Sequence, residues 1–240
     1  MDAASDLALL RLLQLADSGF PSGAYTLSNG LETLVGDGAI SSADDLAAFV
    51  RVHLLEKFAR SDLIALLAAH DAGHERADAA DDADRVERIV AIDRRLTAAK
   101  IAADDRIGSA RVGRRLTTEV VRLAPFAPLL GFLQAIEDRR TAGNAAVAFG
   151  LAGRAFGVER RLAALAASSA LVIGFGAAAV RLGLIGHGAA QRLVAEAAPV
   201  IASAVDAAGR GHWSDLRPSA PQIEVALAAH ETAAARQFAS

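Results

Sequence analysis

Residues 162–180, LAALAASSALVIGFGAAAV, are 19 consecutive uncharged residues bracketed by Arg161 and Arg181. A run of that length either crosses a bilayer or forms a helix buried on most sides. Only seven positions, Leu162, Leu165, Leu171, Val172, Ile173, Phe175 and Val180, are large and apolar. The others are Ala, Ser and Gly, whose transfer into hydrocarbon gains little. The stretch is therefore expected to be the central helix of a helical body, with a membrane span as the rival reading.

Composition supports the first reading. Alanine dominates the chain, aromatics are 5% and β-branched runs are short, which suits helices packed through small side chains and not sheets. The fold class expected is all-α: one globular domain over residues 1–240, of about ten helices, since 240 residues with 53% hydrophobic content can bury a sizeable core. A formal charge of −3 offers no field that would gather nucleic acid. With no cysteine, disulfides, thiolate metal sites and cysteine nucleophiles are excluded, which fits a cytoplasmic location. The start, MDAASDLALLRLLQLADSG, has acid where a secretory leader has base, so an untargeted mature chain is expected.

Helical periodicity places the elements. Leu7, Leu10 and Leu13, with Leu9 and Leu12, predict a helix over 6–16 lying on a core, stopped by the Gly and Pro of DSGFPSG. Ser22 is expected to cap a second helix carrying Leu27, Leu31 and Leu34, with Tyr25 in its first turn and Gly36 in the left-handed position after its end. Ser42 and Asp45 form a variant capping box before Leu46, Phe49, Val50, Leu54 and Phe58, and Ser61 and Asp62 punctuate the run before Leu63. Residues 71–84 are acidic and poor in large apolar side chains, so a mobile connection is expected there. Further helices are expected at about 86–101, 103–123, 126–137, 143–156, 160–182 and 186–208. A loop with two Gly, two Pro and the only Trp opens a C-terminal segment, 208–240, whose tail helix begins near Pro221.

Several chemistries lack their residues. The only lysines, Lys57 and Lys100, follow Glu and Ala, so no P-loop exists. No serine stands in G-x-S-x-G, and neither HERAD nor HETAA completes H-E-x-x-H. His70 and His74, four apart, leave a metal-binding helical enzyme as a second rival, against a solvated helix end. Arg111, Arg114 and Arg115 form a basic run that reads as a solvated face or a partner-binding patch. What a core does not require is Tyr25 with Glu32, Arg181 closing the long uncharged segment, and HETAAARQF near the C-terminus. Together these suggest an interaction protein and not an enzyme.

Five segments carry a resemblance: LLQLADSGFPSGAYTLSNGLET from Leu12, RIGSARVGRRL from Arg106, GNAAVAFGLAGRAFGV from Gly143, AAVRLGLIGHGAAQRL from Ala178 and HETAAARQFAS from His230. In this order they resemble the UreF family of urease accessory proteins, nearly end to end. The resemblance implies an all-helical cytoplasmic homodimer without a reaction or cofactor of its own. It joins a UreD/UreH-type accessory protein, recruits and regulates the UreG-type GTPase, and helps deliver nickel to apo-urease. It also implies a partner-facing surface that includes Phe20, Tyr25, Glu32, Arg181, His187, His230, Glu231 and Arg236. Tyr25 matches a partner-contact tyrosine, and Arg236 matches a near-terminal arginine expected to order the tail. The chain departs from the family pattern at four places: Arg181 for a common Lys, Leu184 for Pro, His187 for Gln and Asn144 for a frequent His. Arginine keeps the charge but not the compact geometry of an ammonium, and His187 puts an imidazole where the family has an amide.

Overall fold

A computed structural model describes residues 3–74, 82–233 and 235–239. Among them the chain forms eleven α-helices and no strand: α1 (Ala3–Ala16), α2 (Leu31–Gly36), α3 (Ala43–Val52), α4 (Asp62–Ala72), α5 (Asp82–Ala99), α6 (Ala103–Leu123), α7 (Ala127–Glu137), α8 (Ala145–Ala155), α9 (Arg160–Arg181), α10 (His187–Gly209) and α11 (Pro221–Glu231). The buried side chains make one continuous cluster that reaches every helix. The connection expected at 71–84 falls mostly on residues 75–81, outside the described residues; its ends belong to α4 and α5.

Small residues set how close the helices come. A Cβ on Gly150 of α8 would stand 2.2 Å from the Leu66 carbonyl oxygen of α4, and one on Gly113 of α6 would stand 2.1 Å from the Gly143 carbonyl oxygen. No side chain fits at either contact, so α4, α6 and α8 meet backbone to backbone. Around them α9 packs along α10 and also against α8, α4 and α1. Its Ala163, Ala164, Ser168, Val172, Phe175, Gly176, Ala178 and Ala179 are buried, and Phe175 meets Phe49 edge-on at 5.1 Å. Burying a ring of that size contributes about 1.5–3 kcal/mol. Among the described residues α9 is the one helix long and apolar enough to cross a membrane. Here its buried face packs against six other elements of the body: α10, α8, α4, α1, α2 and the 3₁₀ turn at Ala24–Thr26.

Two local expectations are corrected. Of the leucines expected to carry α1 onto the core, Leu12 is buried, as is Leu15, but Leu7, Leu9, Leu10 and Leu13 are exposed. The helix lies on the outer side of α9 and engages it by one narrow edge. The helix expected from Ser22 does not form. Gly23, Asn29 and Gly30 have φ of 78°, 51° and 87°, and left-handed residues cannot be absorbed into a right-handed helix. The segment instead makes one 3₁₀ turn, Ala24–Thr26, before α2 starts at Leu31. Gly38, at φ 72°, takes the left-handed position assigned to Gly36.

The Ser42 cap is made as expected, its hydroxyl accepting from the Asp45 amide at 3.1 Å, while Asp45 reaches back to Ser41 and not to Ser42. After α3 the chain widens into a π turn, His53–Phe58, in which the Ala59 amide donates to the Leu54 carbonyl. This over-wide turn points His53, Leu54 and Lys57 inward together.

Candidate partner-docking site

The C-terminal helix is locked by charge beneath and apolar contact above. Pro221 occupies the first turn of α11, and Ile223, Ala226, Leu227 and His230 are buried at helical spacing against α2 and α6. Glu224, on its inner edge, pairs with Lys57 of the π turn. Lys57 also faces Asp105 at 2.9 Å, and Lys100 bridges Asp105 at 3.0 Å and Asp62 at 3.0 Å. Both lysines of the chain are therefore buried in one five-membered ionic cluster. Burial opposes the charge on Lys100, yet Asp105 and Asp62 hold its pKa above the ordinary lysine range. Burial likewise opposes the Asp105 carboxylate, and Lys100 and Lys57 hold its pKa far below the usual range.

On the outer side α11 delivers the tail to the opening loop. His230, 1% exposed, directs Nδ1 to Asp104 Oδ2 at 2.9 Å and Nε2 to Glu32 Oε2 at 3.0 Å. Both contacts are donations only when the ring carries both protons. Glu231 reaches the start of α6, where its Oε1 accepts from the Ala103 amide at 2.6 Å. That bond supplies the cap that Ala102 lacks. Arg236 approaches Asp104 at 3.3 Å. The amides of Gln237 and Phe238 donate to Glu32 at 2.7 and 3.1 Å, and the Ala239 amide donates to the Thr26 carbonyl at 2.8 Å. Phe238 is buried, and the Arg181 guanidinium lies over its ring at 4.1 Å while donating to the Tyr25 carbonyl at 2.7 Å.

Six of the eight expected residues thus meet on one surface: Tyr25, Glu32, Arg181, His230, Glu231 and Arg236. Tyr25 itself is 60% exposed, its side chain standing beside the strapped tail. Phe20 is buried in the core. His187 is exposed in the first turn of α10, and no contact joins it to the others. Of the departing positions, Asn144 caps α8 inside a buried knot: Asp93 accepts from the Asn144 amide at 2.7 Å, the Gly143 amide at 2.9 Å and the Thr141 hydroxyl at 2.6 Å. Leu184 packs against the core from the turn after α9.

The two-histidine metal site is not supported. His70 is buried and its Nε2 donates to the Val158 carbonyl at 2.9 Å; burial is the main cause of its lowered pKa. His74 lies beyond the end of α4 and does not share a helical face with it. Among the described residues no group of three or more His, Asp or Glu side chains could hold a metal ion.

Sequence reasoning missed Asp104 and Phe238 as members of the site, and the burial of both lysines beneath it. Phe238 lies within the noted HETAAARQF segment, and the scarcity of lysine was the one available hint of a special role.

The UreF family model matches residues 40–198, well over half of the chain. Beyond those bounds, the urease accessory protein UreF of Bacillus sp. (strain TB-90) is 28% identical over 232 residues, covering 97% of this chain and 99% of that protein. UreF of Trichodesmium erythraeum (strain IMS101) is 30% identical over 235 residues, covering 96% of each. UreF 1 of Brucella melitensis biotype 1 is 29% identical over 230 residues, covering 96% of this chain and 92% of that protein. The match is nearly full-length in both directions, and the chain belongs to the UreF family of urease accessory proteins.

Proposed function

We propose that this chain is a scaffold of urease maturation. With a UreD/UreH-type partner it recruits and regulates a UreG-type GTPase for nickel insertion into apo-urease, in the cytoplasm and as a homodimer. Nickel is cargo in this reading, and the chain carries no reaction of its own. The observation that supports it is the strapping of the tail onto the opening loop through Glu32, Arg181 and His230, which leaves Tyr25 projecting from a restrained surface. A rigid exposed aromatic offers a partner apolar area and a hydroxyl at low entropic cost. Binding energy at such a surface would favour one nucleotide-dependent arrangement of the GTPase.

The test is light scattering after size-exclusion chromatography of the chain co-expressed with a UreD/UreH-type protein, then with the GTPase and a guanine nucleotide added. A defined complex that takes up the GTPase is expected. Tyr25→Ala and truncation before Arg236 should retain helicity, because neither removes a core helix, and should lose the GTPase. If both variants still assemble the full complex, the loop and tail are not the docking site.

A further inference from the structure

A second feature lies beside the strapped tail and is independent of the scaffold reading. Arg111, Arg114 and Arg115 of α6 and Arg139 after α7 line an open cleft of about 680 Å³, together with Ala110, Ile136, Thr141 and Ala142. No carboxylate lines it. The size is that of small-molecule sites. Arg111 donates to the Thr26 hydroxyl at 3.1 Å, and the Arg115 guanidinium rests against Gly23 of the opening loop. The side chains of Arg114, Arg115 and Arg139 have no hydrogen bond or ion pair among the described residues. In a chain of net charge −3 this is a local concentration of positive charge.

Two further observations mark the cleft as built. Arg139 has a φ of 57° and stands at the left-handed position ending α7, where the Arg140 amide bonds the Ala135 carbonyl at 2.9 Å. Glycine is the usual residue there, and a strained non-glycine backbone is retained where the side chain has a use. The wall that carries Arg139 and Thr141 is also tied down, because buried Asp93 accepts from the Thr141 hydroxyl and from the Gly143 and Asn144 amides.

We propose that this cleft binds a compact polyphosphate group. Three guanidinium groups on one helix at i, i+3 and i+4, faced by a fourth across the cavity, ask for several negative charges in a small volume. Phosphate oxygens supply that density and match the guanidinium fork, whereas the carboxylates of a peptide are spread along its chain.

The full chain is titrated calorimetrically with sodium tripolyphosphate, with inorganic phosphate and with a glutamate-rich decapeptide. Tripolyphosphate is expected to bind most tightly, and Arg114→Gln and Arg139→Gly are each expected to weaken it at least about tenfold. Arg139→Gly removes the guanidinium while relaxing the backbone, so its melting temperature should equal or exceed that of the parent and lost binding cannot be ascribed to unfolding. Absence of binding, binding unchanged in both variants, or tighter binding of the peptide through the same arginines would each overturn the proposal. None of these outcomes bears on assembly with the GTPase, which light scattering reads separately.

Discussion

Replacing Glu32 by Ala should release the tail while leaving the body folded. The carboxylate accepts three hydrogen bonds: from the Gln237 amide at 2.7 Å, the Phe238 amide at 3.1 Å and His230 Nε2 at 3.0 Å. Bonds to a charged acceptor contribute about 1.5–3 kcal/mol each, and where the donor is exposed water recovers most of it. Gln237 is exposed, so its bond adds little; the His230 bond acts on α11 and not on the tail. What remains for tail docking is the part-buried Phe238 bond, about 2 kcal/mol, which raises the open population about 30-fold. The reporter is the Ala239 amide, bonded to the Thr26 carbonyl and untouched by the substitution. Native-state hydrogen exchange should show Ala239 about 30-fold faster at unchanged rates in α8. An unchanged rate at Ala239 would mean that Arg181 and Phe238 hold the tail without Glu32. A uniform acceleration would mean that the staple belongs to the global core.

Two further predictions concern the buried charges. His53 is 4% exposed, has no hydrogen-bond partner for either nitrogen among the described residues and sits between Phe49 and Phe175; burial, with the Lys57 cation adding to it, pushes its pKa down to about 3. The unfolded chain therefore takes up a proton near pH 6.5 that the folded chain refuses, and stability falls as pH drops from about 6 toward 3 by about 1.4 kcal/mol per unit. His53→Phe should remove that component of the slope in urea titrations at stepped pH, and an unaltered slope would assign it elsewhere. Lys100→Met should leave Asp62 without its cation and Asp105 with Lys57 alone, and cost about 3–5 kcal/mol of unfolding free energy, whereas a loss below about 1 kcal/mol would show that Lys57 alone neutralises the cluster. Because Asp105 is depressed and Lys100 raised, the parent's ionic contribution is complete between the ordinary Asp and Lys ranges. It is lost as pH falls toward the Asp105 value or rises toward that of Lys100.

The helices were legible where their signals were local. The spacing of Leu116, Val120 and Val112 marks α6, Pro221 marks the start of α11, and the Ser42 cap is written in adjacent residues. Local signals misled at the opening loop, because a serine before leucines at helical spacing reads as a cap until Gly23, Asn29 and Gly30 take left-handed angles. They misled again at α1, where periodicity identifies a leucine-bearing helix but not which edge of it α9 will cover.

By itself the sequence determined that this protein is all-α, lacks thiol chemistry and P-loop chemistry, and resembles the UreF family nearly end to end. Those conclusions rest on composition, periodicity and short motifs, all carried by neighbouring residues. Only the tertiary structure decided that Glu32 and Phe238 meet across 206 positions, that Lys57 and Glu224 pair across 167, and that Arg139 faces the arginines of α6. The physical reason is that a carboxylate or a guanidinium carries no mark of its partner. Its role is set by burial and by which distant group the packing of α4, α6, α8 and α11 brings within hydrogen-bonding distance.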